Sequence, residues 1–281
     1  MNPTALARTG RYEAERAARG SLTESAARAG LTARGVIYFL VGLIALQIAF
    51  GEDEHRQADR GGALAELARQ PFGAVLLWAL GAGLAGMALW RLSEALFGSA
   101  GPDGRKARKR LLAAVRCVFY AFVAWSVLNF AASPHGDSGG GSSDRQSRDV
   151  TARVLDLPAG QWIVGAVGAG VAVGGVWTGA QALRRKYRKQ LKLATMAPWA
   201  RRLTDVTGVA GGAARSLVFA AAGAFAVRAA VDYRPDKAKG LDDTLRSFTH
   251  TPLGPWLLAC VAGGLVLFGV FSFAMARWRR V

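Results

Sequence analysis

The chain has 281 residues, of which 52% are hydrophobic, and a formal net charge of +17 at pH 7. A soluble protein this basic usually binds nucleic acid through Lys and Arg residues spread over a folded surface. Here long uncharged apolar runs alternate with short basic segments, which is typical of a polytopic membrane protein and argues against the soluble class. The first 34 residues are polar and lack the apolar core of a secretory signal.

Six apolar runs are each close to the roughly 20 residues that cross a ~30 Å hydrocarbon core. The first helix is expected to start around Thr23, which places Arg28 and Arg34 at the membrane interface. The sequence therefore predicts an all-α, six-span transmembrane helix bundle. The runs cover about residues 35–50, 72–97, 111–132, 161–183, 206–231 and 255–276.

Basic residues are divided unevenly between the two sides of this bundle. The side with both termini holds 25 of the 36 Lys and Arg residues, and the opposite side, with three loops, holds 11. The positive-inside rule therefore predicts a plasma-membrane protein with cytoplasmic N- and C-termini. The basic runs GRKARKR (104–110) and LRRKYRKQLK (183–192) directly follow spans, so we interpret them as topogenic loops against anionic headgroups, with no nucleic-acid partner.

Three prolines mark an internal repeat. Each is followed by glycine two and twelve residues later, and by an aromatic residue nineteen residues later. Upstream lies an arginine with an aromatic residue four positions on, and the arginine-to-proline spacing is 37, 42 and 37 residues. The chain is therefore interpreted as three tandem two-span hairpins in one orientation. The prolines are Pro71, Pro158 and Pro252, the second-helix glycines are Gly83, Gly170 and Gly264, and the arginines are Arg34, Arg116 and Arg215.

The segments ARAGLTARGVIYFLVG and ALAELARQPFGAVLLWALGAGLAGMALWRLSEA resemble the DUF1206 repeat of actinobacterial membrane proteins. The resemblance covers about residues 25 to 279 and implies three such modules and six spans. The second and third repeats lose the Phe after proline and have Ala159 and Leu253 there. The function of the family is unknown, so the resemblance implies a fold and no catalytic residues.

The repeats divide the chain into a cytoplasmic segment, residues 1–24, and three two-helix modules, residues 25–98, 105–186 and 204–279. Short segments before the prolines, at 61–70, 150–157 and 241–248, are too short and polar to span, so we expect helices lying at the outer interface. The prolines themselves are predicted in the first turn of each second helix, where they are expected to take part in helix packing.

The stretch from Gly81 to Gly86 matches the G-x-G-x-x-G dinucleotide pattern, which requires a preceding strand and a helix that begins at the glycines. These glycines lie inside a continuous apolar run, where small residues let membrane helices approach closely. The sequence therefore predicts close helix contacts at Gly83, Gly170 and Gly264, and no nucleotide site.

No catalytic or cofactor-binding motif is recognisable, so we expect no enzyme activity and no cofactor. The histidines, His55, His135 and His250, fall one in each outer loop at positions that are not repeat-equivalent, and the cysteine spacing does not suit a metal. Cys117 and Cys260 lie at opposite ends of different spans and are not expected to pair.

Arg34, Arg116 and Arg215 form the charged position shared by all three repeats. They are predicted to begin the first helix of each hairpin at the cytoplasmic interface and to anchor it. All three are candidate contacts for a phosphate or an anionic lipid headgroup, and Arg116 and Arg215 are the stronger candidates because Glu94 is expected to pair with Arg34.

The leading functional hypothesis is a non-enzymatic membrane protein, either a scaffold or an accessory protein that contacts lipid. The alternative is a channel or carrier whose path follows the pseudo-threefold axis, and an intramembrane enzyme comes third. The sequence implies the lipid bilayer as a partner and identifies no protein partner. Dry packing on the axis would favour the first hypothesis, and a water-filled lining would favour the second.

Overall fold

The computed structural model describes residues 3–51, 57–97, 107–132, 143–250 and 254–279. His55, His135 and Pro252 lie outside the described residues, as does the side chain of His250. Long helices account for most of the described chain, and it contains no strand beyond one isolated bridge. The α-helices are α1 (Pro3–Ala49), α2 (Arg60–Arg69), α3 (Gly73–Phe97), α4 (Ala107–Ala132), α5 (Ser143–Leu155), α6 (Gly160–Leu183), α7 (Pro198–Val231), α8 (Leu241–Ser247) and α9 (Gly254–Trp278).

Six of these helices are long and apolar enough to cross a membrane: α1 from Glu24 onward, α3, α4, α6, α7 and α9. They coincide with the six predicted apolar runs. The spanning part of α1 starts at Glu24, but the expectation that the helix itself starts around Thr23 is wrong, because helical backbone begins at Pro3. Large apolar side chains such as Trp125 and Trp162 are exposed on the surface of the bundle, as expected for helices that face lipid. The chain is therefore an all-α, multi-pass membrane protein.

The short helices α2, α5 and α8 occupy the segments predicted to form helices before each long second helix. The turn from α2 into α3 has the geometry of a type II turn. The Gly73 amide donates to the Gln70 carbonyl oxygen at 2.8 Å, Pro71 is second in the turn and Phe72 is third with φ 62°. Proline second and a positive φ third define a type II turn. Gly73 is required because a Cβ there would lie 2.3 Å from the Ala68 carbonyl oxygen.

The turn from α5 into α6 repeats this geometry. The Gly160 amide donates to Leu157 at 2.8 Å, and Ala159 has φ 63°. Pro71 and Pro158 therefore lie two residues before their helices, and both are exposed. The prediction that they sit in the first helical turn and pack against other helices is wrong. Each proline is instead the second residue of the turn before the helix, a position that suits its fixed φ.

The six long helices form a ring in which each second helix packs along the first helix of the next repeat. Accordingly α3 packs on α4, α6 on α7, and α9 on α1. Small residues bring the backbones together: a Cβ at Gly42 would lie 2.7 Å from the Val266 nitrogen, and one at Gly223 would lie 2.4 Å from the Ala172 nitrogen. This cyclic order produces a pseudo-threefold axis along the bundle.

Contacts within the hairpins are less regular. α1 packs on α3 and α7 packs on α9, but α4 and α6 do not pack closely on one another. Gly83 lies 3.0 Å, as measured to an added Cβ, from the Ala29 carbonyl oxygen, and Gly264 lies 2.2 Å from the Ala214 Cβ on the same measure. Gly170 has nothing within 4 Å. The prediction of a close helix contact is therefore wrong for Gly170, because the middle hairpin is open.

Candidate functional site: an arginine cluster inside the ring

The three repeat arginines lie well inside their helices. α1, α4 and α7 begin 31, 9 and 17 residues before Arg34, Arg116 and Arg215, and end 15, 16 and 16 residues after them. At 1.5 Å per residue, each arginine is about 23 Å from the end of its helix, so all three share one depth. The prediction that they begin the helices is wrong, since helical backbone continues through the segments before them.

Arg215 of the third repeat is held by the first repeat. Its Nε donates to the Tyr38 hydroxyl oxygen at 2.9 Å. Its guanidinium also lies 5.1 Å from the Phe268 ring centre and 4.6 Å from that of Phe219. Such contacts with aromatic faces stabilise a cation that is removed from water. Arg215 therefore has internal partners, contrary to the expectation that it lacks one.

Arg34 of the first repeat is held in the same manner by the second and third repeats. Its Nε donates to the Ser272 hydroxyl oxygen at 3.3 Å, and its guanidinium lies 5.2 Å from the centre of the Phe268 ring. Arg34 also hydrogen-bonds the Tyr120 side chain. Tyr38 and Phe268 meet edge to face, with ring centres 4.8 Å apart, so side chains from several helices fill the middle of the ring at this depth.

These bonds follow a cyclic rule that breaks once. The third-repeat arginine bonds the tyrosine of the first repeat, and the first-repeat arginine bonds the tyrosine of the second. The position that would serve Arg116 is occupied by Phe219, which has no hydroxyl group. Arg116 is exposed, and within the part of the chain that the structure describes it makes no hydrogen bond or ion pair.

Arg116 instead lies within electrostatic range of a second cation, Arg91 of α3, and of Glu94. Arg91 is only 6% exposed and stacks over the Trp90 ring at 4.2 Å. It forms an ion pair with Glu94 one turn later on the same helix, so the expected pairing of Glu94 with Arg34 is wrong. The Nε of Arg91 is buried and has no hydrogen-bond partner among the described residues.

A fifth arginine approaches from the end of α9. The Arg279 guanidinium lies 4.7 Å from the centre of the Trp90 ring. Burial and the nearby Arg91 and Arg34 lower the pKa of Arg279 to about 9, so it still carries its charge at neutral pH. We name these side chains the arginine cluster: Arg34, Arg91, Arg116, Arg215, Arg279 and Glu94.

Within the described residues the arginine cluster carries five guanidiniums and one carboxylate, a formal charge of +4. Like charges in a low-dielectric interior repel strongly unless an anion or a dipole compensates them. Hydroxyl groups and aromatic faces do so for Arg34 and Arg215. Glu94 compensates Arg91, so within the described residues Arg116 is the member of the cluster that has neither a hydrogen bond nor an ion pair.

The sequence repeat identifies three members of this cluster but misses Arg91 and Arg279. Arg91 lies twenty residues after Pro71, and the equivalent residues after Pro158 and Pro252 are Thr178 and Ser272. An arginine where the other repeats have a hydroxyl group is the signal that would have identified it. Arg279 has no repeat signal, because it lies beyond the end of the last repeat helix.

The cysteines, the glycines of α3 and the potential metal ligands form no further site among the described residues. Cys117 is half-buried and Cys260 is exposed, and both are free. Gly81, Gly83 and Gly86 lie in mid-helix in α3, which follows a turn rather than a strand, so the dinucleotide geometry is absent there. No group of three potential metal ligands comes together among residues with described positions.

A model of the family described as Domain of Unknown Function (DUF1206) matches the chain three times, at residues 29–98, 112–185 and 210–279. The chain is also similar to "Uncharacterized protein YxxB" of Bacillus subtilis (strain 168), with 32% identity over 247 residues, which is 87% of each chain. No solved structure matches. Three consecutive matches that together cover most of its length show that this chain belongs to the DUF1206 family.

Proposed function

We propose that this protein is a non-enzymatic, lipid-contacting membrane protein that holds the phosphate of an anionic lipid headgroup between Arg116 and Arg91. The observation that carries the proposal is the free bonding capacity of this pair within the described chain: Arg116 makes no hydrogen bond, and Arg91, although it pairs with Glu94, keeps a buried Nε without an acceptor. Guanidinium groups match phosphate oxygens in a bidentate manner, and charge-assisted bonds of this kind are the strong ones.

The depth of the pair suits such a ligand. If the outer ends of the helices lie at one face of a ~30 Å hydrocarbon core, an arginine about 23 Å away lies close to the opposite face. A long arginine side chain reaches the headgroup region from that depth by snorkelling. A lipid phosphate therefore needs to enter the protein only slightly to meet Arg116.

The channel or carrier alternative has less support. A path along the pseudo-threefold axis would have to pass Tyr38 and Phe268, which pack edge to face, and the guanidiniums of Arg34 and Arg215, which are bonded to their neighbours. Opening this region would break several of those contacts together. We therefore do not propose transport as the function.

The test is native mass spectrometry of protein purified in mild detergent, comparing Arg116→Gln with Lys109→Gln. Both variants remove one exposed cation from α4. A hydrogen-bonded charge contributes about 1.5–3 kcal/mol, so we expect Arg116→Gln to retain roughly ten-fold less anionic phospholipid and Lys109→Gln to resemble wild type. Equal retention by folded Arg116→Gln protein would refute the proposal. Because Arg116 has no hydrogen bond to lose, the variant is expected to fold.

We further propose that the arginine cluster lies on the cytoplasmic side of the plasma membrane, with both termini on that side. The charge asymmetry between the two sides supports this orientation. In a cysteine-free background, Ser142→Cys on whole cells should react with a membrane-impermeant thiol reagent, and Ser99→Cys should not. The reverse labelling pattern would invert the topology.

A further inference from the structure

We propose that the open side of the ring, between α4 and α6, is a slot that receives the acyl chains of the lipid whose phosphate lies at Arg116. This inference rests on the proposed function and names the route and the second half of the ligand. Apart from this opening, every neighbouring pair of long helices around the ring packs together. We name the opening the α4–α6 slot.

The first wall of the slot differs from its repeat equivalents in side-chain size. In α1 and α7, the residue four positions before the repeat arginine is glycine and the residue directly before it is alanine. These residues are Gly30 and Ala33 in α1, and Gly211 and Ala214 in α7. These small residues touch the partner helix: a Cβ at Gly30 would lie 2.4 Å from the Met87 Cβ, and one at Gly211 would lie 2.4 Å from the Phe268 nitrogen.

The equivalent residues of α4 are Leu112 and Val115, which are 47% and 60% exposed. Their branched side chains prevent the close backbone approach that the other two hairpins make. Phe119, one turn after Arg116 on this face, is also exposed. The first wall is therefore apolar, and it ends at the guanidinium of Arg116.

The second wall, on α6, has a smaller side chain than its repeat equivalents. Sixteen residues after the repeat proline, α3 has Met87 and α9 has Phe268, and both are buried against the first helix of their hairpin. The equivalent residue of α6 is Gly174, one turn after Gly170, and neither glycine has anything within 4 Å of an added Cβ. Side chains that fill the other two interfaces are thus missing from this one.

The apolar lining of the slot and the positive charge at its end together identify the occupant. Apolar side chains line the slot, and at its end lies Arg116, which has no hydrogen bond or ion pair among the described residues and lies within electrostatic range of Arg91. An anionic phospholipid complements this arrangement, because its negatively charged phosphate is joined to apolar acyl chains. A free phosphate would use the arginines alone, and a second copy of the chain would bring another positive charge to them.

The first test fills the slot without disturbing any contact. Gly174→Leu adds a side chain where nothing lies within 4 Å, and Ala169→Leu adds the same side chain on an exposed face of α6 that points away from the slot. Proteins are reconstituted in bilayers of phosphatidylcholine and phosphatidylglycerol and analysed by native mass spectrometry. We expect Gly174→Leu to retain at least five-fold less phosphatidylglycerol than wild type, and Ala169→Leu to match wild type.

A second pair of variants narrows the slot from the other wall. The double variant Leu112→Gly, Val115→Ala gives α4 the small residues of α1 and α7. Its control, Leu111→Gly, Val118→Ala, makes the same changes on the exposed outer face of α4. We expect only the first double variant to lose phosphatidylglycerol. Retention at the wild-type level by both Gly174→Leu and the narrowed variant would overturn the slot proposal.

Glycerol 1-phosphate, a phosphate monoester that offers the arginines a phosphate group but has no acyl chains, separates this proposal from the proposed function. The slot variants should bind it within two-fold of wild type, whereas Arg116→Gln should lose it. If Arg116→Gln retains both ligands, the proposed function fails. If the slot variants bind glycerol 1-phosphate and phosphatidylglycerol like wild type, only the slot fails. A wild-type dimer that Gly174→Leu converts to monomer with unchanged lipid would identify a second copy as the occupant.

Discussion

The first and third hairpins are closed, and the middle hairpin is open, although all three derive from the same sequence repeat. The closed hairpins have Gly and Ala before their arginine and a large residue opposite, either Met87 or Phe268. The middle hairpin has the reverse order of sizes, with Leu112 and Val115 opposite Gly174. The two long helices of the middle hairpin are therefore held by α3 and α7 of the neighbouring repeats instead of by one another.

The same contrast extends to the arginines. Where the hairpins are closed, Arg34 and Arg215 are bonded to hydroxyl groups of other repeats. Beside the open hairpin, Arg116 lies within electrostatic range of Arg91. A charge that is fully satisfied within the protein contributes to structure, whereas a charge left without a partner is available to a ligand.

The largest effect is expected from a matched pair of glycine variants. Gly264→Leu forces a side chain into the Ala214 Cβ, which lies 2.2 Å from an added Cβ, whereas Gly170→Leu meets open space. Overpacking of this kind costs about 3 kcal/mol, so Gly264→Leu should melt well below wild type in detergent. Gly170→Leu should stay within about 0.5 kcal/mol of wild type. Similar melting temperatures for the two variants would contradict the closed-and-open distinction.

A smaller effect is expected from Tyr38→Phe, which gives the first repeat the residue that the third repeat has at Phe219. The Arg215 guanidinium loses its 2.9 Å acceptor, at a cost of about 1–3 kcal/mol in the free energy of unfolding. Thermal unfolding of Tyr38→Phe, Arg215→Gln and the double variant measures the coupling. Additive effects of the two changes would show that this bond does not hold the ring.

The smallest effect concerns Tyr187, in the loop that covers the closed third hairpin. Its hydroxyl donates to Asp205 at 3.2 Å, and its ring meets Phe271 edge to face with centres 5.0 Å apart. Burial and the Asp205 carboxylate raise the pKa of Tyr187 to about 12 from a usual 10. Because the folded state holds the proton more tightly, this contribution to stability is complete below pH 10 and is lost between about pH 10 and pH 12.

Tyr187→Phe should therefore remove part of the decline in stability over that alkaline range, and the absorbance titration at 295 nm should lose the tyrosine with a pKa of about 12. Tyr233, which is 58% exposed, provides the control substitution Tyr233→Phe. An unchanged alkaline titration in Tyr187→Phe would mean that the loop does not pack on the third hairpin as described.

Much of the fold follows from local sequence pattern. The length of the apolar runs gives the six spans, and the fixed spacing between arginine and proline gives the repeat. Arg34, Arg116 and Arg215 share one depth because equal spacing along equivalent helices produces equal rise. Contacts between repeats do not follow from spacing. The pairing of Arg215 with Tyr38, and the approach of Arg91 to Arg116, depend on which helices become neighbours in the ring.

The opening between α4 and α6 is an intermediate case. The exchange of Gly and Ala for Leu112 and Val115 is visible in the sequence, but its meaning depends on knowing that this face should meet Gly170. Glycine alone does not specify a contact. It permits close approach only where the opposing residue is also small or fits around it, as at Gly83 and Gly264.

The pairing of α1 with α9 has a consequence for biosynthesis. During translation α1 is made first, yet the helix that covers Gly35 and Gly42 is the last of the long helices to be made. More than 200 residues separate Gly42 from Val266, so the ring cannot close until nearly the whole described chain has emerged. Until then Arg34 lacks Ser272 and depends on water and headgroups near the membrane surface. Contacts of such high sequence separation form slowly, and a nascent chain that stalls before α9 exposes an unpartnered first helix to quality control.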